Sequence, residues 1–152
     1  LLTEWRKRKW KIIYSKHLSV LPQSPLYHKN KNATDIKEAL QPQEGEVIFI
    51  KNVNIAFIGT EVESYLREQQ VKSVIMTGLS TQHCVSTTTR MSGNLGFDTY
   101  VVSDAIVAFE ITDHKGTLHS PDAVQEVELA TLHKEFATIL TTEEILSQLE
   151  SL

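Results

Sequence analysis

A chain of 152 residues is long enough to bury the core of one ordinary domain, and 41% hydrophobic with 22% charged residues excludes a disordered or collagen-like composition. A net charge of −4 excludes an overall attraction to nucleic acid. A single cysteine excludes an internal disulfide, and no apolar stretch approaches the roughly 18 residues needed to cross a bilayer. No nucleic-acid or membrane partner is therefore expected, and a reducing, cytoplasmic setting is.

Leu1 to about Lys9 reads as the tail of a helix. Because it opens in mid-pattern and without methionine, the sequence is expected to be an N-terminally incomplete piece. The basic cluster Arg6, Lys7, Arg8, Lys9 and Lys11 suits a helix C-terminus better than a nucleic-acid patch. Trp10 to His17 has the β-branched and aromatic content of a strand. A long irregular segment, 18–45, follows and holds Pro22, Pro25 and Pro42. It is either a pocket wall, with Ser24-Pro25-Leu26-Tyr27 as an ordered elbow, or plain surface loop. Glu46 to Ile50 predicts a second strand ending at Lys51. Thr60-x-x-Glu63 predicts a capping box for a helix whose apolar face is Val62, Tyr65 and Leu66.

Val71 to Met76 predicts a buried strand, with a tight turn at Gly78 and then a helix of small residues stopping at Gly96. Gly93 inside that helix permits close packing on a sheet. Cys84 falls at or near the helix N-terminus, where unpaired N–H groups and the macrodipole favour negative charge. A thiol there can ionise below the free value of about 8.5 and act as a nucleophile. The plainer reading of a lone cysteine is a small buried hydrophobe. Asp98 to Ser103 predicts the next strand, with Asp104 organising the turn after it. Ser120-Pro121 opens a helix to about Glu135, Phe136 to Leu140 forms a last strand, and Thr141-x-x-Glu144 caps a closing helix. Strands alternating with helices predict βαβ units and a mainly parallel sheet covered on both faces. Ligands then sit beyond the carboxyl ends of the strands, and Lys51 and Cys84 are expected on one rim of the sheet. No GxGxxG or Walker loop follows a predicted strand, which disfavours nucleotide binding.

Gly78-Leu79-Ser80-Thr81-Gln82-His83-Cys84-Val85, running on through Thr88, Arg90, Leu95-Gly96-Phe97 and Ser103-Asp104-Ala105, resembles the isochorismatase-like cysteine hydrolases. Ile50-Lys51-Asn52-Val53-Asn54-Ile55-Ala56-Phe57 is similar to that family's lysine motif, and Leu132-His133-Lys134-Glu135-Phe136-Ala137 to its C-terminal segment. The resemblance implies a Rossmann-like three-layer α/β/α sandwich and a single hydrolase domain over 1–152. It also implies an Asp–Lys–Cys triad in which Lys51 and Cys84 are two members. The acid normally ends the first strand in an Asp-x-Gln motif, which the sequence lacks. In a sheet ordered 3-2-1-4-5-6 that first strand is central, so the strands at Ile12 and Val74 are expected without their shared neighbour.

The implied chemistry is hydrolysis of a C–N bond, amide or carbamoyl, in a small molecule. The Cys84 thiolate attacks the carbonyl carbon, water hydrolyses the thioester, and a carboxylate shuttles the proton. Backbone N–H groups at Thr81 and Cys84 are the expected oxyanion donors. Phe57, Ser80 and His83 are the expected pocket residues, with Phe57 alternatively core and His83 alternatively surface. The resemblance places a non-proline cis peptide at Ser80–Thr81. Nicotinamidases of the superfamily carry an Asp-x-His for a divalent ion, whereas Ser15-Lys16-His17 keeps only the histidine. No catalytic metal and no cofactor are expected, and a homo-oligomer, dimer or tetramer, is. The competing expectation is a catalytically inactive member of the fold serving as a structural or interaction subunit.

Overall fold

The structure is a computed structural model describing residues 1–149, apart from the side chain of Asn32. The chain divides into two compact units, Leu1–Gln69 and Gln70 onward. The last three residues of the predicted 1–152 domain lie outside the described residues.

The first unit opens with α1 (Leu2–Lys7) and β1 (Ile13–His17), then α2 (Lys31–Thr34), β2 (Val47–Lys51) and α3 (Val62–Glu68). β1 and β2 pair in parallel with His17 opposite Lys51. Along β2 the exposed Ile48 and Ile50 alternate with half-buried Val47 and Phe49 and the buried Lys51, the period of two that a one-sided sheet requires. Phe49 meets Tyr65 of α3 edge-on at 5.6 Å, while Val62 and Leu66 are buried beneath the helix. The Arg6 guanidinium holds Glu46 from both nitrogens, at 2.7 and 2.9 Å, joining α1 to the entry of β2. Within the long segment, Tyr27 N–H donates to Ser24 C=O and Ser19 bridges Tyr27, so the proline elbow is an ordered turn. The capping box predicted at Thr60 does not form. The Thr60 hydroxyl donates to Ala56 C=O, the helix begins at Val62, and Glu63 pairs with Arg67 one turn on.

The second unit holds β3 (Ser73–Leu79), α4 (Ser86–Asn94), β4 (Asp98–Val107), β5 (Ile111–Thr112), β6 (Leu118–His119), α5 (Pro121–Leu132), β7 (Thr138–Leu140) and α6 (Thr142–Leu149). β3, β4 and β7 form a parallel sheet in that order, and β5 and β6 a small antiparallel hairpin absent from the sequence expectation. Among the described residues the β1–β2 pair lies in the first unit and the β3–β4–β7 sheet in the second. β3 is an edge strand, so Val74, Ile75 and Met76 are half-buried rather than enclosed as predicted. The core sits on β4, where Val101 and Val102 are wholly buried and Val101 and Ile106 cluster with Val85 and Ala137. Each such side chain contributes about 1.5–3 kcal/mol by leaving water.

α4 lies close to the turn before β7. A Cβ on Gly93 would stand 2.6 Å from the Phe136 carbonyl oxygen, so only glycine fits, against a turn rather than the predicted sheet. Ser120 caps α5 by accepting from Ala123 N–H, with Pro121 at the first position. The Thr141 box closes in both directions: Glu144 accepts from Thr141 N–H at 2.7 Å and Thr141 accepts from Glu144 N–H at 3.2 Å.

Candidate active site

Lys51 is the most unexpected buried residue of the first unit, with 1% of its surface exposed. Its ammonium donates to the carbonyls of Val53 (3.2 Å) and Asn54 in the turn that leaves β2. Within its unit, and among the described residues, no carboxylate pairs with it, although a buried ammonium ordinarily demands one. A solvated strand end is thereby excluded. Opposite it on β1, burial and then the neighbouring Lys51 charge push the His17 imidazole below its ordinary 6.5. Phe57 is half-buried in the turn after Lys51, beside the buried Ala56.

Ser80, Thr81, His83 and Cys84 come together in one turn of the second unit. β3 ends at Leu79, the chain makes a single π-helical turn over Thr81–Val85, and α4 begins at Ser86. Cys84 therefore lies just ahead of α4, inside a wider turn than the simple helix start predicted, and is half-buried. The turn closes when Val85 N–H (3.1 Å) and His83 N–H (3.2 Å) both donate to Ser80 C=O. The cis peptide lies at Leu79–Ser80, one bond earlier than the expected Ser80–Thr81. Exposed His83 has its Nδ1 3.1 Å from Ser80 Oγ, and Thr87 Oγ1 donates to the His83 carbonyl. His83 thus stands on the solvent side of the turn, paired with Ser80.

Two glutamines that sequence reasoning missed anchor this turn. Gln82 forms a two-way pair with the backbone of Phe109, donating to its carbonyl at 3.1 Å and accepting its N–H at 3.4 Å. Gln125, on α5, accepts from the Thr81 hydroxyl at 3.2 Å and from Ala108 N–H at 3.1 Å, and donates to Ser103 C=O at 3.0 Å. Asp104, assigned to a turn after its strand, lies within β4 and accepts from the Thr142 N–H and hydroxyl, which hold its carboxyl below the usual range. Among the described residues no three His, Cys, Asp or Glu side chains gather as a metal site, and no helix is long and apolar enough to cross a membrane.

Residues 1–144 match the family model of the isochorismatase domain. The uncharacterized isochorismatase family protein YrdC of Bacillus subtilis is 48% identical over 97% of this chain and 78% of its own length. The maleamate amidohydrolase of Pseudomonas putida is 29% identical over 76% of this chain and 49% of its own. An isochorismatase-family crystal structure from Chromobacterium violaceum superposes with a TM-score of 0.93 at 34% identity, over 99% of this chain and 78% of that one. A cysteine hydrolase from Pseudomonas syringae gives a TM-score of 0.86 at 26% identity, over 99% and 76%.

Proposed function

Because the chain belongs to the isochorismatase family, we propose that it cleaves a C–N bond, amide or carbamoyl, in a small molecule through a thioester on Cys84. The observation that carries this reading is the Gly78–Val85 turn, which holds the sole thiol of the chain half-exposed in a π-helical turn. Amidohydrolases among the relatives, for maleamate and ureidoacrylate, support the bond type. Lys51 keeps the role that the resemblance gives it, the cation of the triad. The backbone N–H groups of Thr81 and Cys84 receive the oxyanion, each donor contributing on the order of 3 kcal/mol. Ser80 and His83 shape the pocket. The protein acts without metal or cofactor, as a homo-oligomer in the cytoplasm.

The test is turnover of a panel of small amides and ureido acids that includes maleamate, with ammonia release as the readout. Cys84→Ala loses about 10³-fold or more, and Lys51→Ala about 10²-fold. A rapidly quenched reaction shows an acyl adduct on the intact wild-type mass. Undiminished turnover in Cys84→Ala sinks the reading. The second reading is a non-catalytic member of the fold serving as a structural or interaction subunit. An inert wild-type chain, with a thiol that alkylates no faster than a free cysteine at any pH, would select it.

A further inference from the structure

We propose that Gln125 is a positioning residue for the cysteine turn, setting its geometry through the hydroxyl of Thr81; this rests on the hydrolase reading for its functional meaning. β4 departs from β3 between Met76 and Gly78, where the pairing jumps from Val101 to Ile106. The intervening residues leave the ladder, and the Ser103 carbonyl among them takes its hydrogen bond from the Gln125 side chain. Just past the end of β4, the Ala108 N–H has likewise left the ladder, and Gln125 accepts it. The same oxygen accepts from Thr81, which is wholly buried and is the first residue of the π-helical turn. One carboxamide thus satisfies three polar groups from three segments.

Only a carboxamide can do this. The acceptor must serve two donors while a donor on the same group serves a carbonyl, and glutamine carries both on one planar carboxamide. A carboxylate in its place would face Ser103 C=O with no proton to give. Thr81 is three residues from Cys84, and the turn between them closes on Ser80 C=O, so a shift at Thr81 is transmitted to the thiol and its backbone N–H. Gln125 touches neither thiol nor substrate in this scheme and acts through Thr81 alone. Gln82 braces the turn on its other side by pairing with Phe109, and Thr81 is the residue of the turn that Gln125 itself touches.

The experiment is alkylation of the single thiol of the full chain by iodoacetamide across pH, alongside thermal melting and amide turnover, in Gln125→Met, Thr81→Val, Thr81→Ser and Gln125→Met/Thr81→Val. Gln125→Met and Thr81→Val each change the alkylation rate at least 3-fold, displace its pH profile from the wild-type one and lower kcat about 10-fold or more, with KM changed less. Thr81→Ser, which keeps the hydroxyl, restores all three. The double variant is no worse than Gln125→Met alone, because Thr81→Val removes only a hydrogen bond that Gln125→Met has already removed. Folded variants with the wild-type alkylation profile overturn the proposal, as do strictly additive effects. Loss of the folded state in both single variants overturns it too, since Gln125 is then a determinant of folding and not of the turn. Alkylation needs no substrate, so a chain without amidase activity whose alkylation still follows Gln125 and Thr81 removes the hydrolase reading and keeps the positioning one.

Discussion

At His17 two effects act in the same direction. Burial disfavours the imidazolium most, and the Lys51 ammonium opposite adds to it, so the folded state holds the ring neutral below its ordinary 6.5. The unfolded chain binds the proton first as pH falls, so the stability from His17 is complete above about 6.5 and is lost progressively below it. Urea unfolding at about pH 7.5 and 5.5 therefore shows a fall that His17→Gln abolishes, and NMR titration of Lys51→Met places the His17 midpoint higher than in wild type. An unchanged midpoint means that Lys51 exerts no field there. Cys84 was singled out by the glycine and small residues around it and Lys51 by the resemblance of Ile50–Phe57 to the family's lysine motif, both local patterns. Gln125 was not, because a polar residue on an amphipathic helix reads as surface, and its partner Thr81 lies 44 residues away.

Among the elements, identical signals had different outcomes. Thr60-x-x-Glu63 and Thr141-x-x-Glu144 have the same spacing, yet only the second is a reciprocal box. The Thr60 hydroxyl is taken by Ala56 C=O in the turn before α3, a local bond to a residue upstream of the four-residue pattern. α6 is capped twice over, by Thr141 with Glu144 and by Asp104 accepting from Thr142 across 38 residues. Since Ile145 and Leu149 are its buried residues, fraying the cap exposes the helix that covers β4. Thr141→Ala costs about 1 kcal/mol. Asp104→Ala costs a similar amount, and the double variant costs roughly their sum if the two caps serve different N–H groups. Chemical denaturation measures all three, and a neutral Thr141→Ala contradicts the capping role. The β5–β6 hairpin escaped notice for an opposite reason. Two-residue strands around an exposed Asp113 turn carry no alternation long enough to read.

Across the whole chain the alternation of strand and helix was enough to give parallel ladders, because each apolar run must find a neighbour and each crossover returns it in the same direction. It did not give the split into two compact units, which depends on which strands share an edge. Acid discriminates between the units. Two hydrogen bonds from Arg6, chiefly, hold the Glu46 carboxyl down to about 2, with Gln43 N–H and the Tyr14 hydroxyl adding to it. This network ties α1, β1 and the entry of β2 together, and only the first unit contains it. Its stabilisation is complete above the ordinary 4.5 and is lost as pH falls from there toward 2. Both tryptophans, Trp5 and Trp10, stand in the same unit with rings 5.0 Å apart, so tryptophan emission reports on the first unit while far-ultraviolet dichroism reports on the whole chain. In urea titrations between pH 4.5 and 2, the tryptophan-detected midpoint of the wild type falls steeply. In Glu46→Gln it starts lower at neutral pH and falls much less across that window, because the carboxamide has no proton to take up. A Glu46→Gln slope equal to that of the wild type would assign the acid sensitivity of the first unit to other carboxylates, Glu4 beside Arg8 foremost.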